Sequence, residues 1–265
     1  MTSIPQPTPA SAQTRPFSFA GLLAFLFGLA AYAFFFATFL YMIAFIADLP
    51  GLPKTIDSGP VSPAPVAIAI NLALLALFAV QHSVMARPAF KRAWTLIVPK
   101  PIERSTYVLA ATLAVVLLIW QWRPLPDTVW NITDPLAASI QWTLFAAGWA
   151  TLLLATFLIN HFELFGLQQS FGAMIGRKFQ PQIFRTPFLY KFVRHPLYLG
   201  FVMAFFAAVH MTQGRMLFAL ASTAYILVGI FFEERDMVAQ FGDTYRRYQK
   251  RVPMLLPVPR NDDAK

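Results

Sequence analysis

Between Arg15 and Asp48 the chain runs for 32 residues without a charge. The hydrocarbon core of a bilayer is about 30 Å thick and is spanned by about 20 helical residues. Residues 17–47 therefore cross one with length to spare. The run is too long for a secretory leader, whose apolar region is about 7–15 residues and ends at a small-residue cleavage site. Further apolar stretches follow at Pro65–Ala86, Ser105–Trp122, Pro135–Asn160, Pro196–Met211 and Met216–Phe232. The last two flank a polar turn, Thr212-Gln213-Gly214-Arg215, in which glycine suits a tight connection, so they read as a helical hairpin. Only 12% of residues are charged and 57% are hydrophobic, against about 25% and 45–50% in a soluble domain. A soluble globular enzyme and a disordered chain are excluded. The absence of cysteine excludes disulfides, a thiolate nucleophile and Cys-ligated metals. The expected fold is an all-α, polytopic membrane bundle of five to six passes. It has a C-terminal hairpin and an amphipathic cytoplasmic C-terminal helix. Residues 1–16, rich in Pro, Ser, Thr and Gln, read as a disordered cytoplasmic arm, residues 17–252 as one membrane domain and 253–265 as a tail.

The net charge of +9 reflects connections between passes rather than a nucleic-acid surface. The segments Arg87–Arg104 and His161–His195 each sum to +4, whereas Asp48–Ala64 and Arg123–Asp134 each sum to −1. Lys and Arg concentrate in cytoplasmic loops. This orientation places both termini inside, provided that the hairpin crosses and returns.

Polar groups at membrane depth are costly and invite a functional reading. His82 lies five residues before Arg87, about 7.5 Å inside its helix end. His161 closes the fourth pass beside Asn160, and His195 opens the fifth beside Arg194. All three fall on the cytoplasmic side and His210 at the opposite end. A single interfacial histidine is ordinarily an anchor or a satisfied core group; three at one depth suggest a site. From Glu234, helical spacing aligns Met237, Val238, Phe241, Tyr245 and Tyr248 on one face, with Glu233, Asp236, Gln240 and Arg247 opposite. Arg246, Arg247, Lys250 and Arg251 are expected to touch anionic lipid. Glu234 falls on the apolar line, where a carboxylate needs Arg194 or a cationic ligand as partner.

The pattern Arg194-His195-Pro196-x-Tyr198-x-Gly200, an apolar hairpin, Glu233-Glu234 and Gly242-x-x-Tyr245-x-x-Tyr248-x-x-Arg251-Val252-Pro253 resembles the isoprenylcysteine carboxyl methyltransferase and phospholipid methyltransferase superfamily. This match covers about the last 75 residues. Gln81-His82-Ser83-Val84-Met85-Ala86-Arg87-Pro88, Glu103-Arg104-Ser105 and Asn160-His161-Phe162-Glu163-Leu164-Phe165-Gly166-Leu167 are similar to a narrower group. That group is the bacterial methanethiol S-methyltransferases and their NnrU-like relatives. The resemblance implies a bacterial inner-membrane enzyme with its active site facing the cytoplasm. It also implies S-adenosyl-L-methionine as cofactor, bound within residues 190–252. Arg194, His195, Pro196, Tyr198 and Gly200 would contact that cofactor, with Glu233 or Glu234 on its ammonium group.

Under this resemblance a small thiol is methylated to dimethyl sulfide. A simple thiol near neutral pH is mostly protonated, so a base is useful, and His82 and His161 are the candidates. Asn160, Gln81 and Gln168 are candidates for holding the thiol or polar parts of the cofactor. Glu163, two residues after His161, would not share its helical face. No metal site is expected. The alternatives are a prenylated or lipid-linked acceptor, an NnrU-like protein with haem on His82 and His161, and a transporter. The sequence leaves the oligomeric state open.

Overall fold

The computed structural model describes residues 18–177 and 185–257. The expected N-terminal arm and the end of the tail lie outside them. The elements are α1 (Phe19–Ala47), α2 (Ala64–Ala86), α3 (Pro88–Trp94), α4 (Lys100–Gln121), β1 (Thr128–Asn131) and α5 (Pro135–Ile159). Then come α6 (His161–Leu164), α7 (Leu167–Met174), a 3-10 turn at Phe188–Lys191, α8 (Pro196–Phe206), β2 (His210–Thr212), α9 (Gln213–Phe241) and α10 (Asp243–Arg251). Helices α1, α2, α4, α5 and α9 are long and apolar enough to cross a bilayer, and the chain is an integral membrane protein. Large apolar side chains such as Leu23, Leu77, Phe157 and Val228 point outward, as expected where the solvent is lipid.

Helix boundaries follow local chemistry. Ser18 caps α1, accepting from the Gly21 amide, and Asp134 does the same for α5 at the Ala137 amide. Prolines stand in the first turns of α2, α3, α4, α5 and α8, where a missing N–H costs nothing. Helix α4 starts at Lys100, five residues before the apolar stretch, because Pro99 and Pro101 start it well.

The expected hairpin takes a different form. Helix α8 stops at Phe206 after 11 residues, a rise of about 16 Å, and so reaches only halfway across. Beyond it the backbone is satisfied by the 128–132 segment instead of by a helix. β1 and β2 pair antiparallel, Ile132 N–H donates to Val209 O, and Trp130 Nε1 donates to Ala208 O. Non-helical backbone at membrane depth survives only with such internal partners. The 212–215 segment is no turn. Thr212 caps α9 by accepting from Arg215 N–H, and Gly214 lies in the first helical turn against Leu125. The amphipathic segment is also divided differently. Helix α9 continues unbroken to Phe241, and Gly242, at φ +55°, breaks the chain before α10. Tyr245, Tyr248 and Val252 then pack on Met237, Val238 and Phe241 as a small core of their own.

Helix neighbours describe a ring: α1 packs on α4, α4 on α2, α2 on α9, α9 on α8 and α8 on α5. Phe39 of α1 closes it against Trp149 of α5, ring centroids 5.4 Å apart. The tightest contact is between α5 and α8, where a Cβ on Gly200 would lie 2.5 Å from Gly148 O and 2.8 Å from Leu152 N. Small residues permit such approaches between membrane helices. Replacing Gly200 with Ala should push the two helices apart and destabilise the fold by about 1–3 kcal/mol. A thermal melt in detergent micelles measures this, and an unchanged midpoint would contradict the packing. At the ring end remote from Arg194, buried Arg215 pairs with Asp57 at 2.6 Å and Asp48 at 3.2 Å.

Candidate active site

The Arg-His-Pro motif opens α8, and the structure brings it against the Glu-Glu pair of α9. Arg194 is buried. Its Nε donates to Glu234 Oε1 at 2.6 Å, and its Nη1 donates to the carbonyls of Gln249 at 3.1 Å and Val252 at 2.5 Å. Gln249 Nε2 donates to the other oxygen of Glu234 at 2.9 Å. The backbone amides of Arg194 and His195 donate to Pro253 O and Met254 O. Arg194 and Glu234 thus clamp the start of α8, the lower part of α9 and the end of α10. The partner that Glu234 requires is Arg194. Tyr248, whose hydroxyl burial pushes up to about 12, stays protonated and donates to Tyr190 O at 2.5 Å, tying α10 to the 3-10 turn.

Glu233 stands apart from this clamp. Its side chain is 46% exposed, and Tyr198 Oη donates to its Oε2 at 2.9 Å. His195 lies between the two glutamates, with Nε2 3.0 Å from Glu234 Oε1 and Nδ1 3.9 Å from Glu233 Oε1. The motif therefore presents a half-exposed carboxylate held by a tyrosine. Pro196 is buried at the first turn, and Gly200 faces α5.

His82 and His161 end in separate networks, and counting hydrogens separates them further. A threonine hydroxyl has one proton. Thr156 Oγ1 gives it to Leu153 O at 2.7 Å, because a carbonyl can only accept. The 2.8 Å contact with His161 Nδ1 is then Nδ1–H donating to Thr156. Nε2 carries the lone pair and accepts from Tyr32 Oη at 2.8 Å. Both nitrogens are spent, and the ring stacks on Phe157 at 4.2 Å. Asn160 is spent as well: its Nδ2 donates to Glu163 Oε2 at 2.8 Å and to Gln168 Oε1 at 2.7 Å. Asn160 and Gln168 are therefore together, while Gln81 lies on α2, its Nε2 directed at Met85 Sδ. Glu163 does not orient His161, as its helical spacing implied.

His82 differs. Its Nε2 is 2.9 Å from Tyr107 Oη, but its Nδ1 is buried with no partner, as is Gln81 Oε1. The ring is stacked on Phe78. Tyr107, Tyr225 and Glu233 are electrostatic neighbours of Tyr198. A buried polar atom left unpaired costs about 1–3 kcal/mol. Among the described residues no cluster of three or more metal-ligating side chains occurs. Sequence reasoning missed Tyr32, Thr156, Tyr107, Tyr225 and Gln249. The available signal was a tyrosine within an otherwise apolar span, whose hydroxyl must find a partner.

Burial depresses the basicity of His161 below its ordinary value of 6.5. In the unfolded chain the ring binds protons near 6.5 and in the folded chain only at lower pH. Its contribution to stability is therefore complete above 6.5 and is lost as pH falls through 6.5 towards the folded value. The melting midpoint in detergent should drop across that window, and His161→Gln should flatten the drop. An equal drop in both proteins would contradict the assignment.

The NnrU protein family matches residues 71–255 of this chain. Methanethiol S-methyltransferase 1 of Bradyrhizobium diazoefficiens is 56% identical over 89% of this chain and 82% of its own length. Methanethiol S-methyltransferase of Mycobacterium tuberculosis is 50% identical over 89% and 97%. Methanethiol S-methyltransferase 2 of Bradyrhizobium diazoefficiens is 51% identical over 90% and 92%. No solved structure matches. With matches of this extent to both halves of the ring, the chain belongs to the NnrU family, among its methanethiol S-methyltransferases.

Proposed function

We propose that the chain methylates methanethiol to dimethyl sulfide with S-adenosyl-L-methionine as methyl donor. The observation that carries this reading is the buried Nδ1 of His82, left without a hydrogen-bond partner, alongside a motif that presents the 46% exposed carboxylate of Glu233. The donor's zwitterionic amino-acid end suits that motif. Its carboxylate is matched by the Leu197 and Tyr198 amides, the first N–H groups of α8 after Pro196, as anions are at helix N-termini, and its ammonium by Glu233 rather than Glu234, which Arg194 already neutralises. Arg194 and Glu234 support this face from behind, His195 links the two glutamates, and Pro196 and Gly200 fix the helix that carries Tyr198.

When bound, S-adenosylmethionine would supply a methyl group activated by its sulfonium, with the neutral thioether S-adenosylhomocysteine as the leaving group once the methyl passes to the thiolate sulfur. The protein's part is to make and hold that thiolate. His82 Nδ1 accepts the S–H proton, while Tyr107 holds Nε2. The apolar walls exclude water, and Gln81 Oε1 offers a second polar contact. His161 has no open nitrogen, so it orders the α1–α5 junction, and Asn160 with Gln168 shapes the 160–168 corner beside it. An NnrU-like haem site on His82 and His161 lacks support for the same reason: His161 has no nitrogen to give. The motif lies at the end bearing the two +4 segments, which the positive-inside rule assigns to the cytoplasm. Both termini and the site then face the cytoplasm of a bacterial inner membrane.

Headspace gas chromatography on cells fed methanethiol tests the reading. Dimethyl sulfide should rise with the wild type and not with an Arg194→Ala, His195→Ala chain. The absence of product from folded wild-type protein that binds the cofactor would overturn methanethiol as acceptor.

A further inference from the structure

His82 packs against two aromatic rings, Phe78 and Tyr107, with Tyr225 next to Phe78. The Phe78 ring stacks on its imidazole at 5.2 Å and 29°. Tyr107 covers it at 5.1 Å and 42°. Tyr225 stands edge-on to Phe78 at 6.0 Å and 79°, and its hydroxyl is 3.1 Å from Ser83 Oγ. That hydrogen bond ties the Tyr225 ring to the residue next to His82, so the ring does not swing freely. His82 Nδ1 is buried and has no hydrogen-bond partner.

In the tautomer whose Nε2–H donates to Tyr107 Oη, Nδ1 holds the lone pair and takes a donor small and apolar enough to be favoured beside these rings. A thiol on a single carbon meets both demands, because sulfur packs well at about 5 Å from aromatic rings. Resting on the reading of His82 as base, we infer that Phe78, Tyr107 and Tyr225 form the acceptor pocket, with Phe78 and Tyr225 setting the length of thiol admitted. Tyr107 also positions the base, since its hydroxyl engages Nε2 and leaves Nδ1 for the substrate. Each methylene that such a pocket rejects is worth about 10–200-fold in discrimination.

The experiment compares kcat/KM for methanethiol, ethanethiol and 1-propanethiol with the full-length protein in liposomes. In the wild type the value should fall at least about tenfold from methanethiol to ethanethiol and again to propanethiol. In Phe78→Leu and in Tyr225→Leu the ethanethiol-to-methanethiol ratio should rise at least about tenfold. If one variant does not fold, the other carries the comparison. Equal values for all three thiols in the wild type, or an unchanged ratio in a folded variant that binds cofactor, would overturn the size limit and leave the base assignment standing. A wild type that methylates no thiol would instead overturn the reading on which the inference rests.

Discussion

His82→Ala should lower the rate of methyl transfer by about 10²–10⁴-fold, the usual contribution of a positioned general base, while cofactor binding is kept. The variant removes the one histidine nitrogen of the pair that has no protein partner. His161→Ala should behave differently. It leaves the hydroxyls of Tyr32 and Thr156 without the two ring nitrogens they bond, Nε2 and Nδ1, and it empties a slot stacked against Phe157. Its defect should appear in the melting midpoint more than in turnover per folded molecule. Rates and cofactor affinity measured on the same purified samples distinguish the two. A fully active His82→Ala protein would remove His82 from the mechanism.

The second large effect belongs to the clamp. Arg194 and Glu234 are both largely shielded, with side-chain exposures of 7% and 17%, and they hold α8, α9 and α10 together. Removing one partner of a buried pair costs about 3–5 kcal/mol, because the other charge is left without compensation. Glu234→Ala should therefore lower the yield of folded protein and free the 249–254 segment to proteolysis. Glu233→Ala, at an exposed carboxylate, should leave the melt intact and weaken cofactor binding. If Glu234→Ala melts like the wild type and Glu233→Ala does not, the two glutamates have exchanged roles.

The spans were legible because bilayer thickness and the absence of charge leave little choice over residues such as 19–47 and 64–86. The Arg194–Gly200 motif and the Glu233-Glu234 pair were legible as partners, and they do meet. What the sequence hid were outcomes decided by distant chain. The apolar run after Pro196 gives no hint that it unwinds at Ala207, because the 128–132 segment supplies the missing backbone partners. Periodicity carried the helix from Glu234 onward, whereas Gly242 at positive φ divides it. The separation of His82 from His161 depends on Tyr32, 129 residues away from His161, and on the single proton of Thr156. Such hydrogen counting needs atoms in place, and composition cannot supply it.

The most direct test of methyl transfer at this site uses purified protein in liposomes, methanethiol, and S-adenosylmethionine with a deuterated methyl group. The headspace is read by gas chromatography with mass detection. Dimethyl sulfide carrying one CD3 group is expected from the wild type and, at a small fraction of that rate, from His82→Ala. Folded wild-type protein that binds the donor yet releases no labelled dimethyl sulfide would contradict it.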